Sequence, residues 1–252
     1  KDLLVRTSIP MLLGNNSPMG NAGNVLNTGV EFGVNFHKQF GKVFVSADAN
    51  IAYNKNKVTY VGTDVGYVTG STVQGLTGAV TRMEEGHAMS NFWGYKTLGI
   101  FQNQDEIDSW VNSEGKVIQP DARPGDFRYQ DTNDDGIIDD SDRVDLGNPF
   151  PDITFGINFN IAAYGFDLSV STSGQAGNKI FSVLRRADLP MSNYGAWVLD
   201  RWHGEGTSNS IPRVSWSDSN LNWTRPSDFY LKKGDFWRIR NITLGYTLNI
   251  PE

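Results

Sequence analysis

The chain has 252 residues, of which 38% are hydrophobic, 12% aromatic and 20% charged; this excludes disorder and allows one large domain or two small ones. A net charge of -6 with no clustered Lys or Arg excludes a nucleic-acid surface, and the lack of cysteine excludes disulfides and thiolate metal sites. The 27 glycines, the aromatics and the many Asn, Ser and Thr favour strands and turns, so the expected class is all-β.

The opening KDLLVRTSIPML lacks the charged, apolar and small-residue regions of an export signal, so either the protein stays in the cytosol or this is a piece of something longer. No apolar run reaches 18 residues, which excludes a transmembrane helix and leaves a transmembrane barrel open. Residues 28–38 alternate, with Val30, Phe32, Val34 and Phe36 opposite Glu31, Gly33, Asn35 and His37. After a Phe-Gly turn, residues 43–54 alternate again, which predicts a hairpin. The same pattern recurs at 153–162 and 166–173, and a last strand is expected over 236–248. There the apolar phase shifts near Arg240, the signature of a bulge or of an exit from the apolar zone.

Two architectures fit these strands. A soluble sandwich buries the apolar face, whereas a membrane barrel turns it to lipid and its Gly, Asn, Ser and Asp face to a wet lumen. The alternating runs are long for a soluble protein, with short turns at one end and long polar loops, 57–92, 102–150 and 174–235, at the other. That asymmetry favours an antiparallel transmembrane β-barrel segment with long extracellular loops. In the second loop Asp105, Glu106, Ile107 and Trp110 follow Asn103 at helical spacing, predicting a short capped helix.

The stretch DTNDDGIIDDSD, residues 131–142, matches a calcium-loop template. Asp131, Asn133 and Asp135 fill its first three ligand positions, Gly136 its sharp turn, Ile137 its backbone carbonyl, and Asp139 and Asp142 its last two. Hard oxygen donors with no His or Cys select structural Ca2+ over zinc or copper. The alternative is an Asx-rich turn whose side chains cap their own backbone. Because GNPFPDITFG follows and no amphipathic helix does, the ion would staple a loop to a sheet. Catalytic patterns are poor: His37, His87 and His203 are scattered, and the pairs Glu84-Glu85 and Asp139-Asp140 read as solvated loops, so the expectation is a non-enzyme. Trp197, Trp202, Trp216 and Trp223 crowd one loop with Tyr194, Phe229 and Tyr230. Such a group stacks on sugars or peptide side chains, anchors a partner, or holds the loop together, and the spacing leaves all three open.

The run RPGDFRYQDTNDDGIIDDSDRVDLGNPFPDITFGINFNIAAYGFDLSVSTSGQAGNKIF closely resembles the C-terminal barrel region of SusC/RagA-type TonB-linked outer-membrane proteins of Bacteroidetes. NTGVEFGVNF, ADANIAYNKNKVT, GYKTLGIFQNQDEID and PSDFYLKKGDFWRIRNITLGYTL resemble further segments of that family, in its order. The resemblance implies a partial barrel over residues 1–252, belonging to a plugged outer-membrane importer of oligosaccharides or peptides. It also implies energy relayed by TonB through a missing N-terminal region and a SusD-like surface lipoprotein as lid. The chain stops at NIPE, before the strands that would close such a barrel. Lumen-facing positions would include Asn50, Asn158 and Ser169. The runner-up is a soluble extracellular β-sandwich that binds glycans through the Trp-rich loop and is stiffened by calcium.

Overall fold

The computed structural model describes residues 3–6, 19–63, 65–184, 186, 189 and 191–248. Most of the opening KDLLVRTSIPML and all of the closing NIPE lie outside these residues. The main element is one antiparallel sheet in the order β1-β2-β3-β10-β11-β14, formed by Leu3–Arg6, Met19–Phe40, Val43–Val61, Ile153–Ala163, Phe166–Ala176 and Phe236–Tyr246. The sheet is open, with β1 and β14 as its edges, as a part of a barrel must be.

The period-two pattern becomes a two-faced surface because the registers bring like positions into rows. Phe36, Ala47, Phe159, Val170 and Ile242 lie side by side across five strands, and one residue further along each strand come Asn35, Asp48, Asn158, Ser171 and Asn241. The apolar face is bare: Val30 and Leu244 are each 72% exposed and Phe32 is 66% exposed. A sandwich requires a second sheet over that face, and among the described residues none covers it. The polar face is knitted across strands, with Asn160 donating to Ser46 Oγ at 3.1 Å and Ser171 to Asn158 Oδ1 at 2.7 Å.

Strands β10, β11 and β14 have 11 residues each, about 36 Å of chain, which at a tilt of about 45° spans about 25 Å, the height of a lipid-facing band. The two-residue turns lie at one end. In the β10–β11 turn Tyr164 and Gly165 both take positive φ, 53° and 85°, as the twist of a tight hairpin requires. Aromatic rings gather at this end, with Phe166 and Tyr246 at 4.4 Å and Phe40 nearby in the next turn, as at a membrane interface. At Arg240 the ladder skips a residue: Ser171 pairs with Asn241 and Thr172 with Ile239, so of the two alternatives the bulge is the one present. Without it Trp237 and Ile239 would leave the apolar face.

The strand ends and loops differ from expectation. β2 and β3 run to 22 and 19 residues, because their upper halves pair with each other beyond the apolar band. The long loops, expected as polar connections with one helix, fold into a body of their own. It holds β4 (Tyr67–Thr69), β5 (Thr81–Glu84), β6 (Asn91–Gly94) and β9 (Val144–Gly147) in one sheet, with β7 (Thr97–Ile100) on β8 (Phe127–Tyr129) and β12 (Lys179–Phe181) on β13 (Leu231–Lys233). These strands of three or four residues are too short for alternation to show. The predicted helix is α1, Gln104–Asp108, capped by Asn103 Oδ1, which accepts the Glu106 amide at 3.0 Å.

Tyr95, Ile100, Ile118, Phe127, Tyr129 and Ile138 make the core of the loop body, with Trp110, Trp202 and Phe229 packed against it. A smaller cluster, Val58, Val61 and Met83, joins the loop body to the polar side of β2 and β3.

Candidate functional site

Loop 131–142 is built by Asx turns. Asp131 Oδ2 accepts the Gly136 amide at 2.8 Å, Asn133 Oδ1 the Asp135 amide at 3.2 Å, and Asp135 Oδ1 the Ile137 amide at 2.9 Å. Gly136 holds φ at 81°, and a Cβ there would strike Asn112, so the turn requires glycine twice over. Asp139 and Asp142 cap a 3-10 turn, Asp139 accepting the Ser141 amide and Asp142 the Asp139 amide. Asp142 is fully buried and also accepts the Thr132 amide at 2.7 Å. Burial raises its carboxyl above the ordinary aspartate value, and repulsion from Asp131 and Asp135 adds to this against the two backbone hydrogen bonds. Among the described residues no three His, Asp or Glu side chains converge on one point, since the loop's oxygens turn to its own amides. One atom is left over: Asp131 Oδ1 is buried without a partner. Each carboxylate oxygen that accepts one amide keeps a second lone pair. The donor chemistry therefore fits a hard cation, with Asp131 Oδ1 as its unpartnered donor.

Between this loop and β10 the chain forms β9, which pairs with β6. Its anchors are long side chains. Arg143 donates to the carbonyls of Ala79 and Trp93, Arg225 to that of Ile138 at 3.0 Å, and Tyr95 to Asp140 Oδ1 at 3.1 Å. Burial, then Asp140, pushes the Tyr95 phenol up to about 12.

The four tryptophans separate. Trp197 and Trp223 lie 6.1 Å apart and share Phe229 as a neighbour, while Trp202 packs on the loop core and Trp216 is 88% exposed. Trp197, Trp223 and Phe229 wall a cavity of about 760 Å³ whose polar edge includes Asn209, Asp228 and Lys232. That volume suits a small ligand or one unit of a larger one. Asp228 is fixed by Thr97, whose amide and hydroxyl both donate to Oδ1.

Sequence reasoning missed the polar lattice behind this wall. Fully buried Asp126 accepts Arg213 at 2.6 and 3.2 Å and Asn222 Nδ2 at 2.8 Å. Asn222 Oδ1 accepts the Phe127 amide, Gln119 Oε1 the Tyr129 amide, and the amides of Gln119 and Asn220 donate to the Phe127 carbonyl. Side chains thus take the place of a strand beside β8. The alternation Asp218, Asn220, Asn222 was the available signal. Burial also raises the Asp218 carboxyl, against hydrogen bonds from Trp223 and Asn222. The three histidines sit on separate elements, with His87 Nδ1 2.6 Å from Asp145 Oδ2. Asn50 and Asn158 stand on the polar face of β3 and β10, and Ser169 shares that face on β11.

No family model matches the chain. TonB-dependent receptor P26 of Formosa agariphila is 30% identical over 257 residues, covering 100% of this chain and 25% of the relative. TonB-dependent receptor SusC of Bacteroides thetaiotaomicron is 23% identical over 253 residues, 98% of this chain and 23% of the relative. The chain thus spans about a quarter of the length of these curated relatives. A solved structure of the RagAB peptide importer in the 'open-open' state superposes with a TM-score of 0.71 at 17% identity, over 98% of this chain and 25% of that one. A second, of the RagAB peptide transporter, gives 0.68 at 18% identity, over 97% and 25%. By its sequence and its sheet, the chain is a barrel segment of a SusC/RagA-type TonB-dependent protein.

Proposed function

We propose that the full-length protein is an outer-membrane importer of oligosaccharides or peptides, energised through TonB, and that this chain is the C-terminal part of its barrel. The observation that carries this reading is the sheet itself, with one bare apolar face, one polar face and strands of bilayer-spanning length. Relatives named as receptors and a fold shared with a peptide importer support transport over catalysis. The loop body lies on the outer mouth. Trp197 and Trp223 contact substrate through their cavity, and the exposed Leu184, Met191, Leu199 and Trp216 seat a SusD-like lipoprotein lid. The 131–142 loop takes a structural Ca2+, held by Asp131, Asn133, Asp135, the Ile137 carbonyl, Asp139 and Asp142, which ties the loop body together and does no chemistry. The test is deletion of the gene with uptake of fluorescent oligosaccharides and peptides measured in parallel. Loss of uptake of one class supports the reading, and a full-length product that stays monodisperse without detergent overturns it.

A further inference from the structure

The outward row of β3 does not end where the apolar band ends. Ile51 and Tyr53 belong to that band, paired with Phe32 and Val30 on β2 and with Phe155 and Ile153 on β10. Two residues further along the same face comes Lys55, beside Thr28, and two further Lys57, beside Leu26. Both lysines are exposed, and among the described residues no ion pair, hydrogen bond or ring contact holds either ammonium group. The inner face at this height is occupied, for Asn56 donates to Asn27 and accepts the Met89 amide, and Val58 is fully buried under Met83. The lysines therefore face outward because their neighbours of opposite parity are needed by the loop body. Here β3 still has β2 hydrogen-bonded on one side, and on the other the Asn54 amide, one residue before Lys55, joins the Asp152 carbonyl.

At about 3.3 Å per residue and a tilt of about 45°, Lys55 and Lys57 stand about 5 and 10 Å above Tyr53, at the level of lipid headgroups on the long-loop side. A chain with a net charge of -6 thus places two unpaired cations at the rim where headgroups begin. We propose that Lys55 and Lys57, with the Thr28 hydroxyl and the Tyr53 ring below them, bind the phosphate of a phosphorylated glycolipid of the outer leaflet. Two ammonium groups one β-repeat apart can share one phosphate, while Tyr53, Val30 and Ile153 line the path of its acyl chains. The site would fix a lipid against the barrel wall beneath the mouth. It rests on the membrane-barrel reading above.

The experiment measures retention of bisphosphorylated lipid A by the detergent-purified full-length protein, using native mass spectrometry. The expected loss is about five-fold for Lys55→Gln or Lys57→Gln and about 30-fold for both, from the attraction of each basic side chain to an anionic leaflet. Lys55→Arg with Lys57→Arg should retain the lipid, as should Lys42→Gln in the turn at the opposite rim. Equal retention by wild type and the double Gln variant overturns the proposal. So does equal binding of lipid A stripped of phosphate, and displacement by 10 mM inorganic phosphate would make this a free-anion site and overturn the lipid assignment. Carbonate extraction of membranes is run alongside: if the protein washes off, the importer reading fails, and if it stays while lipid retention is unchanged, only this proposal fails.

Discussion

Asp126 and Trp216 stand at the two ends of what a side chain can contribute. Asp126 is wholly buried and ion-paired with Arg213, so Asp126→Ala should cost about 3–5 kcal/mol, read as loss of amide protection in β8 by hydrogen exchange in the full-length protein. Trp223→Ala removes a buried wall of the cavity and should cost about 3–5 kcal/mol, whereas Trp216→Ala, at 88% exposure, should stay within about 0.5 kcal/mol in the same assay. Asp131→Asn should weaken calcium binding by about ten-fold or more, equivalent to about 1.4 kcal/mol, in a calorimetric titration; an unchanged affinity would leave the loop a pure Asx turn. For Asp218 the sign follows from burial. Its folded value lies above 3.8, so its contribution is fully present below that pH and is lost as pH rises through the folded value. Protection of the Asn222 and Trp223 amides, corrected for intrinsic exchange, should therefore fall as pH rises through that window.

The strands were legible in the residues because each side chain of the main sheet answers to one of two solvents. Val30 to Phe36, Ile153 to Ile161 and the Arg240 phase shift all follow from that alternation, and the registers match it row for row. The bulge carries a sharp consequence. Deleting Arg240 leaves the ladder in register with Ile239 and Trp237 still outward, whereas deleting Ile239 sends the Arg240 guanidinium to the lipid face. Heat-modifiable gel mobility of the full-length barrel should survive the first deletion and be lost in the second. Near mid-band, Ile157→Lys should cost about 2–4 kcal/mol while Asn158→Lys on the polar face should cost little, in the same assay with denaturant. The loop strands escaped notice for a physical reason. Three or four residues cannot display a period, and β8 is flanked by side-chain amides in place of a strand.

At the scale of the molecule, the sheet of 11-residue strands and the loop body meet along β2 and β3, whose upper halves carry Lys55 and Lys57 on one side and pack on the loop body on the other. This is why the loops are ordered: Arg143, Arg225 and Tyr95 bind the 131–142 loop to the same body that walls the aromatic cavity through Phe127 and Phe229.

The residues alone determined the two faces, the hairpins, the phase shift at Arg240 and the capped helix, because each depends on neighbours one to four positions apart. Which tryptophans share a cavity, that Asp126 is buried against Arg213 87 positions away, and that Asp131 keeps an unpartnered oxygen were decided by tertiary structure. Those contacts join segments whose separation in the chain leaves no periodic trace, and burial, which sets their energies, exists only once the loops have packed.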